Sequence, residues 1–217
     1  YGPMFDHLLG SDQNGRPSIE SGVLEGWDNN SKATEYTLTL KKGIKWHDGV
    51  EMTSEDLLFS IGHYSRAAAA CDTCGLIQDD IEQIKIISPY QVRIILKEPE
   101  PTFITRLGSK VENVPILPAH YWEKVGASGF ADSPIGSGPW RFVERVTGEY
   151  IEYEANRDYW DSDHVTGFKR LRLLKVPDPQ DQLAMLIAGT IDMAPVALRD
   201  VETLKAEGFS IQGPRYV

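Results

Sequence analysis

The sequence predicts a mixed α/β fold (α/β or α+β) in two unequal parts, and three observations carry that expectation. The last third alternates candidate strands with candidate helices, the pattern of crossovers laid on a sheet. The middle is rich in hairpin signals, and neither internal repeats nor low-complexity tracts interrupt it. At 217 residues the chain buries roughly 70% of its unfolded surface, enough for a proper core.

The elements follow in chain order. Met4-Phe5-Asp6-His7-Leu8-Leu9 is a short apolar run, and Asp12-Gln13-Asn14-Gly15 turns after it, Asn-Gly being a strong turn signal. Tyr36, Leu38 and Leu40 fall on one face of a strand, with Thr37 and Thr39 on the other. Past Lys41-Lys42-Gly43, Ile44 and Trp46 resume an inward face until the Asp48-Gly49 turn. Thr53 caps a helix, and Asp56 three residues on completes a capping box ahead of Leu57, Leu58 and Ile61 at helical spacing. Ala67–Ala70 reads as helical before a cysteine-containing loop.

Ile84 to Leu96 reads as a hairpin: Ile84 and Ile86 alternate, Ser88-Pro89-Tyr90-Gln91 turns, and Val92, Ile94 and Leu96 alternate again. Pro99 and Pro101 end that strand, a helix is expected over Thr102–Leu107, and Pro115 and Pro118 mark an irregular crossing. Pro134-Ile135-Gly136-Ser137-Gly138-Pro139 packs two glycines and two prolines around a bend, fixing the backbone and letting it approach another surface closely. The alternating run Ile151 to Glu154 then ends on Asn156-Arg157-Asp158 followed by Tyr159 and Trp160. Leu171 and Leu173 define a strand that Pro177-Asp178-Pro179 terminates, and Gln180–Ala188 is a helix stopped by Gly189. Ile191–Met193 is expected as a strand, Leu198, Val201 and Leu204 as a helix ended by Gly208, and Phe209–Ile211 as a last strand.

Charge and composition exclude some classes. A net charge of −10, with no run of Lys and Arg longer than a pair, argues against a nucleic-acid partner, because phosphates demand a clustered positive field. No run approaches the roughly 18 apolar residues of a membrane span. The chain begins at Tyr1, which reads as a processed or trimmed start. The two cysteines, Cys71 and Cys74, read first as a short structural disulfide of an exported protein, ahead of free thiols and of metal or redox chemistry.

Catalytic readings fare poorly. Glu55-Asp56 and Asp79-Asp80 are adjacent pairs that point apart on a helix, unlike the facing carboxylates of acid/base catalysis. Ser137 lacks a nucleophile elbow, since Ile135 and Pro139 stand where its glycines belong. The five histidines, His7, His47, His63, His120 and His164, have no metal-ligand spacing, and no cofactor is expected. Trp46 and Trp160 read as packing residues ahead of ligand stacking.

The Gly-Ser-Gly-Pro-Trp loop with the later Asn-Arg-Asp-Tyr-Trp resembles the extracellular solute-binding proteins of family 5, the peptide/nickel receptors of ABC importers. Four further blocks carry the likeness: Met4–Leu9 with Gly15-Arg16-Pro17, Gly22–Trp27, Tyr36–Gly49 running on through Thr53–Leu57, and Gly189–Asp192. The resemblance implies a lobe of the periplasmic-binding-protein-like (type II) fold with an inserted hairpin-and-helix subdomain. Residues 1–26 and 134–217 would form its hinge-proximal part and 27–133 the insertion, with a second lobe absent. It also implies that Asp6, His7 and Leu8 line the ligand cleft and offer backbone hydrogen bonds to an extended peptide, His7 standing where the family usually has Gly. Asn113 and Val114 are a second, weaker pair of ligand residues. The implied partners are a peptide or small polar solute and an ABC-transporter membrane permease, outside the cytoplasmic membrane and with a lipid anchor in the full-length protein. Cut strand edges imply self-association of the chain. The alternative is a ligand-sensing module of a regulator or receptor built on the same fold.

Overall fold

Alternation in Tyr36–Leu40 resolves into the centre of an antiparallel sheet. The computed structural model describes residues 2–12, 17–66, 74–107 and 115–212. Strands β1 (Gly10–Ser11) and β2 (Pro17–Ser18) pair as a small ribbon; residues 13–16, where the Asn-Gly turn was expected, lie outside the described residues. Strands β3 (Leu24–Asn29), β4 (Glu35–Leu40), β5 (Ile81–Ser88) and β6 (Gln91–Leu96) form a four-stranded sheet in the order β3-β4-β6-β5. Register sets Tyr36 opposite Ile94 and Leu38 opposite Val92, so one face buries Tyr36, Leu38, Leu40, Val92, Ile94 and Leu96. The other face pairs Thr37 with Arg93 and Thr39 with Gln91, the Gln91 amide donating to Thr39 Oγ1 at 3.2 Å.

Helix α1 (Ser54–Tyr64) starts as its capping box dictates. Thr53 N–H donates to Asp56 Oδ2 at 2.9 Å, and Thr53 Oγ1 accepts from the first turn. The second Asp56 oxygen, Oδ1, accepts from Ala119 N–H at 2.9 Å, and Ser60 Oγ accepts from Leu117 N–H at 2.8 Å, so α1 also fixes the crossing at 115–119. Leu57 and Ile61 enter the core while Leu58 stays half-buried. Burial raises the Asp56 carboxyl pKa, opposed by the Thr53 and Ala119 N–H groups.

Helix α2 (Cys74–Asp80) precedes the expected hairpin, and α3 (Phe103–Leu107) occupies the expected short helix. Helix α4 (Ala119–Asp132) has no counterpart in the sequence reading; it is broken at Gly126, whose φ of 68° is left-handed. Strands β7 (Trp140–Val146), β8 (Tyr150–Ala155) and β9 (Arg170–Leu174) make a three-stranded sheet in that order.

The described residues divide into two units, one within Tyr1–Glu144 and Tyr153–Leu171, the other within Arg145–Glu152 and Arg172–Val217. The first contains a continuous core in which Leu8, Leu9 and Val23 pack with Leu38, Trp46, Leu57 and Ile116. In the second, Asp178 caps α5 (Pro179–Ile187) by accepting from Gln180 N–H at 2.7 Å, and Gly189 ends it at φ 69°. Helix α6 (Val201–Ala206) ends the same way at Gly208. Ile191–Met193 and Phe209–Ile211, expected as strands, are irregular: runs this short become strands only through a partner, and neither has a ladder among the described residues.

Asp56 thus serves a cap and a crossing at once. Asp56→Ala is expected to lower unfolding free energy by about 2 kcal/mol, and Asp56→Asn by less because one acceptor survives. Urea denaturation at neutral pH checks this, and equal midpoints for Asp56→Ala and the wild type would contradict it.

Candidate functional site

The glycine-proline loop closes directly on main chain. A Cβ at Gly136 would sit 1.8 Å from Met4 O, so no other residue fits there without moving the 4–5 segment. Gly138 N–H donates to Met4 O at 3.0 Å. His47 clamps the loop from the other side: Gly136 N–H donates to its Nδ1 at 3.1 Å, and its Nε2 lies 3.0 Å from Gly138 O. Since Nδ1 accepts, the ring proton belongs on Nε2. Burial lowers the His47 pKa to about 4, with the Arg141 charge adding to the shift and Gly138 O and Asp48 opposing it.

Arg141 and Asn156 complete the clamp. Arg141 Nη1 donates to His47 O at 2.7 Å, while its Nε and Nη2 donate to Asn156 Oδ1 at 3.1 and 2.8 Å. Asn156 Nδ2 donates to Gly138 O at 3.1 Å, and Asn156 N–H to Pro139 O at 2.8 Å. Ser137, between the glycines, is buried and its hydroxyl reaches no base, both His47 nitrogens being engaged on main chain.

Segment 4–8 is therefore held along its length. Asp6 is 5% exposed, and its two oxygens accept separately from Tyr159 Oη at 2.8 Å and Trp160 Nε1 at 2.9 Å. Burial, then the Asp6 charge, raises the Tyr159 pKa. Asp6 O accepts from Ile116 N–H, His7 O from Val23 N–H and Leu8 O from Leu24 N–H, at 3.1, 3.0 and 3.1 Å. Each of these three carbonyls thus already accepts one hydrogen bond from within the protein.

Among the expected ligand residues, Asp6 is a buried acceptor, Leu8 is fully buried in the core, and His7 is half-buried beside Pro115 in an isolated bridge. Asn113 and Val114 lie outside the described residues, as do Cys71 and the Ala67–Ala70 run. Cys74 is buried at the start of α2, and no cysteine among the described residues is free. Trp46 is core, whereas Trp160 is only partly buried and spends its N–H on Asp6. Sequence reasoning missed His47, Arg141 and Asn156. Asn156 and His47 each stood in a block that carries the family resemblance, but nothing in the sequence joined His47 to Arg141, 94 residues apart. Among the described residues no group of three or more His, Cys, Asp or Glu is arranged to hold a metal.

Comparison with known proteins fits this geometry to a family. The profile of the bacterial extracellular solute-binding proteins, family 5 (Middle), matches residues 18–214. The chain is 28% identical to heme-binding protein A of Haemophilus influenzae, over 82% of this chain and 36% of that protein. It is 31% identical to the oligopeptide-binding protein AppA of Bacillus subtilis, over 81% of this chain and 32% of the relative. Among solved structures, NikZ from Campylobacter jejuni in complex with Ni(L-His) superposes with a TM-score of 0.79 at 27% identity, covering 94% of this chain and 40% of that one. The chain thus spans about a third of the length of these curated relatives.

The neutral His47 clamp predicts a pH dependence. Its folded pKa, about 4, lies below the ordinary 6.5, so its contribution is complete above pH 6.5 and is lost as pH falls toward 4. The loss should reach at most about 3 kcal/mol. Urea midpoints of wild type and His47→Asn across that range check it: the difference between them should shrink on acidification, and parallel curves would refute the clamp.

Proposed function

The chain belongs to the bacterial extracellular solute-binding proteins of family 5, and from that membership we propose that it is the solute-capturing part of an ABC importer receptor working outside the cytoplasmic membrane. The match over residues 18–214 carries the reading. The ligand is a peptide or a small polar solute, a class supported by relatives that include an oligopeptide-binding protein and a structure holding Ni(L-His). The protein binds without chemistry, hands its ligand to a membrane permease, and is lipid-anchored in its full-length form.

Asp6, His7 and Leu8 form the ligand-facing segment in this proposal. Their carbonyls are engaged within the protein and Leu8 is core, so the ligand meets the segment through the His7 side chain. The imidazole narrows the space there, which favours short ligands over long peptides. Cys71 and Cys74 are proposed to pair as the disulfide of an exported protein.

Solute receptors of this kind draw affinity from enclosing the ligand on both sides, and this chain is about a third of its relatives' length. Titration of the 217-residue chain, followed by NMR, with trialanine and with nickel–histidine should therefore show weak binding, about millimolar, with shifts centred on residues 6–8. Shifts elsewhere, or none with either probe, would remove the assignment; sub-micromolar binding by the chain alone would remove the enclosure argument. Intact-mass measurement without reductant should show two hydrogens fewer than the reduced chain, and complete thiol labelling of the folded protein would exclude the disulfide.

A further inference from the structure

A closed ring of contacts surrounds Asp6 and His7. Trp160 Nε1–H donates to Asp6 Oδ2 at 2.9 Å, and the face of the same indole lies 4.6 Å from Lys41 Nζ. That ammonium donates to the carbonyls of Ile19, Glu20 and Gly22 at 2.7, 3.0 and 2.7 Å, which uses all three of its protons. The main-chain N–H of Lys41 donates to Val23 O at 2.9 Å, and Val23 N–H donates to His7 O at 3.0 Å, which brings the ring back to the residue after Asp6. Gly22 is required where the ring turns: a Cβ there would lie 2.5 Å from Leu8 O.

Two features separate this ring from ordinary packing. Asp6 is buried and, among the described residues, makes no ion pair within 4.0 Å, so its charge rests on the two neutral donors Tyr159 and Trp160. Lys41 is half-buried, and burial lowers its pKa against the opposing charges of Asp161, Asp6 and Glu20. A cation over an indole face draws density from the ring and strengthens Nε1–H as a donor. The Lys41 ammonium thus supports the Asp6 carboxylate through Trp160, while the Lys41 main chain reaches His7 O through Val23.

We infer that Lys41 and Trp160 are positioning residues that set the His7 imidazole for the solute, a role that rests on the solute-facing reading of segment 6–8. The ring holds the Asp6 side chain before the imidazole and the His7 carbonyl beside it, so its strength sets how narrowly the imidazole is aimed.

NMR of the 217-residue chain tests the role without any ligand, so a failure of the solute-binding reading, visible in the titrations above, is not mistaken for a failure here. Lys41→Met keeps the apolar stem and removes the ammonium. Exchange of the Trp160 indole proton with water should speed at least tenfold and the His7 imidazole cross-peaks should shift, while Lys41→Arg restores both. A Lys41→Met chain that melts earlier yet keeps both signals at wild-type values makes Lys41 merely structural and overturns the proposal. If Lys41→Met does not fold, Trp160→Phe keeps a flat ring beneath the ammonium while removing the N–H donor and part of the ring area. His7 signals that move in Trp160→Phe support the ring, and unmoved signals overturn it.

Discussion

Main chain packed directly on main chain, where Gly136 and Gly138 meet Met4, is the constraint on which the rest of the site depends. With no side chain between them, the two segments have one depth of approach, because a single added carbon would overlap Met4 O. That depth lets Gly138 N–H reach Met4 O, sets the gap that the His47 ring spans, and brings Gly138 O within reach of Asn156. Arg141 then locks His47 to Asn156 through one main-chain and one side-chain acceptor. Segment 4–8 inherits its position from this clamp before any ligand is considered.

The charges buried around the segment are met mostly by neutral groups. Asp6 takes a phenol and an indole, Asp56 takes main-chain N–H groups, Lys41 takes three carbonyls, and Arg141 takes a carbonyl and an amide. Hydrogen bonds to charged groups are worth about 1.5–3 kcal/mol each, and removing one partner leaves a buried charge uncompensated. The contact of Arg141 with exposed Asp158, at 3.7 Å, contributes little by comparison. Neutral partners fix direction as well as charge.

Local signals were legible in the sequence and long-range ones were not. The Thr53–Asp56 box, the Ser88–Gln91 turn and the left-handed Gly189 and Gly208 depend on residues a few places apart, and each stands where the spacing predicts. Helix α4 was illegible because Gly126 and Gly129 interrupt its periodicity and its Pro118 N-cap makes no side-chain bond. The short strands expected at 191–193 and 209–211 had the right residue types, but a strand is a relation between two segments and composition describes only one. At the site, the close approach of the Gly-Pro loop followed from its glycines, but its target, Met4, did not. Nor did composition reveal that Tyr159 and Trp160 would reach back 153 and 154 residues to Asp6.

What the arrangement does chemically follows from how its groups are spent. A general base needs a free lone pair near a substrate proton, and both His47 nitrogens are held by main chain. A nucleophile needs a base beside it, and Ser137 has none within reach. The same commitments suit recognition: a segment whose carbonyls and carboxylate are already satisfied loses little freedom when a solute arrives, so less of the contact energy is consumed in ordering the protein. In the proposed receptor, selectivity then lies with the partly buried His7, because its neighbours Asp6 and Leu8 are committed to holding it still.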